Sequence, residues 1–244
     1  MAASWARLQT ELAARRVADD QVDFSTTAPF DGLRLVGGVD ISYPRGVSDT
    51  AVVALTVLAF PSLHVLYAHS EPVAITAPYV AGFLAFREAA AYHAAFDRLR
   101  RTQPELWPQV VLVDGNGTLH PRRFGSACHV GVGLDVPTVG VAKNLLHIDG
   151  AGVDARGLKR LFAQDAQLVE VPIAADGEVL GMAVAPAGGC ATNPVFVSPG
   201  HRVSMRTAVD LVRRCSVHRV PEPIRVADQQ SREIARQMEP PSNG

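Results

Sequence analysis

Apolar and polar residues alternate along the first third of this chain in short, β-branched runs. Leu33 to Tyr43 (LRLVGGVDISY) is the first of them, with a glycine pair in mid-run and Asp40 set between Val39 and Ile41. Thr50 to Phe60 is an almost continuous apolar run, too β-branched for a surface helix. His64 to Ala68 and Glu71 to Ile75 together complete a third strand. Polar breaks at Pro44–Ser48 and Pro61–Ser62 make the three an antiparallel meander.

The period then changes. Phe83 to Arg101 carries Phe83, Phe86, Ala90 and Phe96 near helical spacing, and Pro104 and Pro108 break the chain behind it. Val110 to Val113 is a buried strand that ends on Asp114, Ser126 to Gly133 a small-residue helix, and Pro137 to Ala142 another buried strand that ends on Lys143. Residues 149–168 are more charged and read as an insertion or a short helix. Val179 to Ala185 and Pro194 to Ser198 form a hairpin across the loop Gly188–Asn193. Ser204 is an N-cap for a helix from Met205 to Cys215, which Pro221 and Pro223 end; a short helix with Asp228 and Glu233 follows. Residues 4–17 form a surface helix with Trp5, Leu8 and Leu12 on one side. The pattern predicts an α/β fold: a central mixed five-stranded sheet flanked by helices, in one domain over 1–244 with its core at about 33–233 and a frayed tail at 239–244.

Composition narrows the class. An apolar fraction of 48% and a charged fraction of 19% suit a soluble globular protein with a full core. With 23 Lys and Arg against 24 acids, any nucleic-acid partner must meet a local basic patch. Cys128, Cys190 and Cys215 lack CxxC spacing and read as reduced thiols, and no run reaches the ~18 apolar residues of a membrane span. The expectation is an intracellular, soluble, monomeric protein, cytoplasmic or nuclear, with no membrane partner.

Candidate chemistry starts at Asp114. An acid at the carboxyl end of a buried strand, followed by Gly115 and Gly117, stands where open α/β sheets place ligands, and Arg122 and Arg123 follow closely. On this stretch alone, a strand-ending Asp that caps a turn explains the residues equally well. Asp40 is harder to dismiss, because an acid inside a strand core is costly unless something pairs it. If strands one and four are neighbours, the two aspartates meet, and Glu88 on the intervening helix can reach them. Crowded carboxylates repel and call for a hard cation such as Mg²⁺ or Mn²⁺. His201, Lys143 and Tyr79 taken singly are ordinary loop, strand-end and turn residues.

Taken together they are not. Gly-Gly-Val-Asp40-Ile-Ser-Tyr, Pro78-Tyr79-Val-Ala-Gly82-Phe-Leu84-Ala-Phe-Arg87-Glu88, Val-Asp114-Gly-Asn-Gly117 with His120-Pro-Arg-Arg-Phe-Gly125, Gly140-Val-Ala-Lys143, Ser198-Pro-Gly200-His201-Arg202, and Pro221-Glu222-Pro223 with Ala227-Asp228 occur in an order that resembles the endonuclease V family, from about Val36 to about Glu233. The resemblance implies a ribonuclease-H-like fold. It also implies cleavage of inosine-containing DNA or RNA at the second phosphodiester 3′ to the altered base, with Mg²⁺ and with Mn²⁺ able to substitute. It makes Asp40, Glu88 and Asp114 metal ligands, Lys143 and His201 catalytic partners, and Tyr79, held by Pro78, the wedge that fills the gap left by the flipped base. Gly82, Leu84, Gly115 and Gly117 would line the base pocket, and Arg122, Arg123, Arg202 and Arg206 would supply phosphate contacts.

The match has departures. Ala81 and Pro199 stand where many bacterial relatives differ, which makes the wedge less rigid and shifts His201. Asn116 and the Phe-Leu-Ala-Phe-Arg-Glu wording are closer to animal relatives, which tilts the expected substrate toward RNA. The alternatives are another ribonuclease-H-like nuclease that prefers branched structures, such as a junction resolvase, and a non-catalytic inosine reader, which would have no need of several acids beside a phosphate.

Overall fold

The meander forms in the computed structural model, which describes residues 1–80, 82–165, 167–185 and 193–240. β1 (Leu35–Ser42), β2 (Thr50–Ala59) and β3 (Val65–Ala74) pair antiparallel in succession. β4 (Val110–Asp114) lies parallel to β1 with Val39 opposite Val113, and β5 (Thr138–Ala142) lies parallel to β4 with Val141 opposite Asp114. β7 (Glu178–Val184) and β8 (Val195–His201) pair antiparallel, as the expected hairpin requires; of its loop, residues 188–192 lie outside the described residues. β8 then docks antiparallel on β5, and β6 (Glu170–Ala175) on β7.

The sheet therefore has 8 strands, in the order β3-β2-β1-β4-β5-β8-β7-β6, where five were expected. The hairpin extends the central sheet instead of standing apart. β6 escaped notice because it is short, carries Pro172 and forms the edge, where a strand needs little apolar signal.

The helices are α1 (Ala2–Ala13), α2 (Leu84–Thr102), α3 (Ser126–Leu134), α4 (Ala155–Gln164), α5 (Met205–Arg214) and α6 (Glu222–Gln237). Ser204 caps α5, its side chain accepting from the Thr207 N–H. The charged stretch after residue 149 contains α4, capped by Asp154. α6 is 16 residues long, not short; Pro221 is its N-cap and Pro223 sits in its first turn, where a missing N–H goes unmissed.

The period-2 pleat assigns each side chain of the central strands to a face. Val110 and Leu112 of β4 pack with Val36, with Val209, Leu211 and Val212 of α5 and with Ile224 of α6. Val111 and Val113 point the other way, toward Val39, Tyr92 and Phe96 of α2 and Val130 of α3. α5 and α6 thus cover one face and α2 and α3 the other. Among the described residues, no helix is long and apolar enough to cross a membrane.

α6 approaches β1 very closely. A Cβ on Gly38 would meet the Pro223 carbonyl carbon and oxygen at 2.2 Å, and Thr56 Oγ1 donates to that same oxygen at 2.8 Å. Gly38→Ala should therefore push α6 off the sheet. The expected loss is about 1–3 kcal/mol or more, read as a lower denaturant midpoint at an unchanged slope; an unchanged midpoint would show that the contact is soft.

Candidate functional site

The pleat puts Asp40 on the same face as Val36 and Gly38, and Asp114 on the same face as Val110 and Leu112. Both acids therefore face α6, at the carboxyl ends of adjacent parallel strands. Asp228 of α6 meets them there. One carboxylate oxygen from each of Asp40, Asp114 and Asp228 lies within 4.8 Å of the others. Asp40 is buried, and its Oδ2 accepts from Ser231 Oγ at 2.6 Å. Burial first, and then the adjacent Asp114 carboxylate, push the Asp40 carboxyl up to about 7, against the pull of Ser231 and Lys143.

Lys143, just past the end of β5, reaches into this group. Its Nζ donates to Asp114 Oδ2 at 2.6 Å and to Asp228 Oδ1. Burial alone would lower the Lys143 pKa, but Asp114, Asp228 and Asp40 outweigh it and hold the ammonium protonated above its ordinary value.

Glu88 belongs to the neighbourhood and not to the triad. It comes from α2, on the opposite face of the sheet, is buried, and accepts from the Tyr43 hydroxyl at 3.1 Å through Oε1. Burial pushes its carboxyl up to about 8, with Tyr43 opposing and Asp40 and Asp114 adding to the shift. One turn further along α2, Tyr92 is fully buried, and its hydroxyl has no hydrogen-bond partner among the described residues.

The loop before α2 carries Pro78 and Tyr79, both exposed; Tyr79 is 67% accessible and free to stack on a partner. Leu84 at the start of α2 is also exposed, Gly82 takes the left-handed conformation with φ 77°, and Ala81 lies outside the described residues. The Gly82 carbonyl accepts from Arg122 and faces His120 Nε2 at 3.2 Å. Arg122 also donates to Gln9 of α1, and its guanidinium lies 4.0 Å from the centre of the Phe83 ring, so it ties this loop to α1. Arg123 pairs with Asp176 at 3.0 Å and with Glu178 at 3.5 Å. Arg202 pairs with Asp135, and Arg206 with Asp210 and Glu170. The four arginines are spread among separate acids and carbonyls instead of forming one patch. Gly115 follows Asp114 directly, and a Cβ on Gly117 would lie 2.1 Å from the Pro199 carbonyl oxygen, so the protein itself uses that missing side chain.

His201 is not brought to the acids. It ends β8 opposite Thr138, the first residue of β5, whereas Asp114 lies opposite Val141 near the other end of that strand. That separates the two by roughly 10 Å along the sheet, besides two strand spacings across it. His201 is buried, its Nδ1 accepts from the Val17 N–H at 3.1 Å, and its Nε2 lies 3.4 Å from Asp135. This corrects the expectation that it faces the acids: its contacts tie the segment before β1 to the far end of the sheet. Pro199 is accommodated in β8 because β7 pairs only with Val195–Val197.

Comparison with known proteins places the chain in a family. Residues 16–229 match the family profile described as Endonuclease V. The chain belongs to the endonuclease V family. Endonuclease V of Homo sapiens is 46% identical over 233 residues, which cover 95% of this chain and 82% of the human protein. The crystal structure of the catalytic domain of human Endonuclease V is similar with a TM-score of 0.89 at 45% identity, over 97% of this chain and 96% of that one. The structure of Ciona intestinalis Endonuclease V with a 23mer DNA containing an inosine followed by a ribo-adenosine gives a TM-score of 0.89 at 36% identity, over 97% and 98% of the two chains.

The donor set fits the divalent cation that membership of the endonuclease V family implies. Three carboxylates crowd one place, and the Lys143 ammonium stands among them as a built-in cation. Asp228 is the residue that sequence reasoning passed over. Its signal was present: Pro223, Ile224, Ala227, Ser231 and Ala235 are the buried positions of α6, and Asp228 sits among them at helical spacing.

Mn²⁺ or Mg²⁺ at about 100-fold over its dissociation constant should stabilise the folded protein by ~2.7 kcal/mol, about 5–10 °C in Tm. Asp114→Asn should lose that gain. Thermal unfolding with and without cation decides it, and an unmoved wild-type Tm would remove the metal assignment.

Proposed function

We propose that this protein is a Mg²⁺-dependent endonuclease. In this reading it takes inosine out of a nucleic-acid strand and hydrolyses the second phosphodiester 3′ to it, leaving 5′-phosphate and 3′-hydroxyl ends. The observation that carries the proposal is the triad of Asp40, Asp114 and Asp228, with Lys143 reaching into it. A bound Mg²⁺, for which Mn²⁺ substitutes, would supply Lewis-acid stabilisation of the phosphodiester and an activated water. Asp40, Asp114 and Asp228 would hold it, and Glu88 would bind a second position or the water. The Lys143 ammonium is the group that neutralises charge on the scissile phosphate.

Tyr79 would stack in the gap left by the displaced base. Gly82, Leu84 and the backbone around Gly115 and Gly117 would bound the base pocket, with Arg122 holding the loop in place. Arg123 would meet phosphate only by leaving Asp176 and Glu178. His201 takes no part in the chemistry at its position in the sheet. RNA is the favoured substrate, on the animal-like wording of Asn116 and of the segment that leads to Glu88. DNA is the second reading, and the inosine-containing DNA held by the Ciona intestinalis relative favours it.

The test is incubation of end-labelled inosine-containing single strands, as matched RNA and DNA, with Mg²⁺. Cleavage at the second 3′ phosphodiester is expected, faster on RNA; uncut strands, or equal cutting of adenosine controls, would reject the proposal. Asp40→Ala and Asp114→Ala should each lower the rate by about a thousandfold or more, since they remove several kcal/mol of charge stabilisation. Turnover near wild type in either variant would contradict the assignment.

Tyr79→Ala should leave the fold intact and weaken the preference for inosine over adenosine strands by about 5- to 150-fold, the equivalent of ~1–3 kcal/mol of stacking. An unchanged preference would take the wedge role from Tyr79.

A further inference from the structure

The hydroxyl of Ser231 is fully buried on α6, one turn after Asp228. Its Oγ lies 2.6 Å from Asp40 Oδ2, 2.8 Å from Ser42 Oγ and 3.1 Å from the Asp228 carbonyl oxygen. A serine hydroxyl has one hydrogen to give and two lone pairs to receive with. The carboxylate and the helix carbonyl both only accept, so they compete for that hydrogen. The shorter contact, to Asp40 Oδ2, takes it. Ser42 must then donate to Ser231 Oγ, since its own distance to Asp40 Oδ2 is 3.4 Å. The hydrogens run in one direction, from Ser42 through Ser231 to Asp40.

We propose that Ser231 is a positioning residue for the acidic triad: its hydroxyl sets the orientation in which Asp40 shares a divalent cation with Asp114 and Asp228. A serine within a helix ordinarily returns its proton to the carbonyl three or four residues back. Here that carbonyl is the more distant acceptor, and the proton is spent on a residue 191 positions away in the chain. One rigid helix therefore carries both a cation ligand, Asp228, and the group that orients another. Positions i and i+3 lie on one helix face, so the spacing between these two roles is set by helix geometry. The contacts of Pro223 with Gly38 and Thr56 fix the start of that helix against β1 and β2. Ser231, fully buried, thus serves the site without reaching the surface.

This inference rests on the triad's cation role in the proposed endonuclease, and the test separates the two. Mn²⁺ is titrated calorimetrically into metal-free wild type, Ser231→Ala and Ser231→Cys with no nucleic acid present. Partners in the outer shell of a metal site are typically worth 10–100-fold in affinity. Ser231→Ala should weaken Mn²⁺ binding by about that factor and should raise by a similar factor the Mn²⁺ concentration that gives half-maximal cleavage. Ser231→Cys, slightly larger and a weak donor, should fall between the two and also serves if the alanine variant does not fold. Wild-type affinity in the folded variants would overturn the proposal. Tight, Ser231-dependent Mn²⁺ binding with no cleavage of inosine strands would uphold Ser231 and reject the endonuclease instead.

Discussion

The parallel pairing of β1 with β4, in the register that sets Val39 opposite Val113, is the constraint behind everything else in this molecule. It brings Asp40 and Asp114 to neighbouring strand ends, and the pleat turns both toward α6. Two carboxylates held side by side away from water oppose each other, as the raised Asp40 pKa records. The fold tolerates the arrangement because positive charge and donors converge on it: Lys143 from the end of β5, Ser231 from α6, and a divalent cation when one is bound. Asp228 adds a third negative charge, which increases the demand for that cation.

The two faces of the sheet divide the work. The face under α5 and α6 carries the acids. The opposite face, covered by α2 and α3, supports the exposed loop with Tyr79. Arg122 links that loop to α1, and the stacking of Trp5 on Phe86, with ring centres 5.2 Å apart, packs α1 against α2. Glu88 is where the two halves meet. It rises from α2 on the far face and is buried close enough to both aspartates to feel their charge.

Much of this was legible in the chain. The meander, the central strand ending on Asp114 and the strand ending on Lys143 all follow from apolar period and β-branching, because buried strands leave strong local signals. The mismatch between an acid and its apolar neighbours made Asp40 visible, and the ordered blocks from Val36 to Glu233 carried the family. β6 was hidden by its brevity and by Pro172. Asp228 was hidden because one of three acids on a mostly polar helix looks like solvated surface until the helix is placed. His201 misled for the opposite reason: a motif places a residue in a block, not at an end of a sheet, and antiparallel pairing with β5 carried it away from the acids.

Most elements, their order, and which strands end on an acid or a base depend on the residue and its near neighbours, and so were written in the chain, with β6 the exception. Which face each acid takes, which helix covers it, and which arginines are already engaged were decided only by the tertiary structure. Those are relations between segments as far apart as Asp40 and Ser231, and they exist only once the strand register and the seating of Pro223 on Gly38 have brought the segments together.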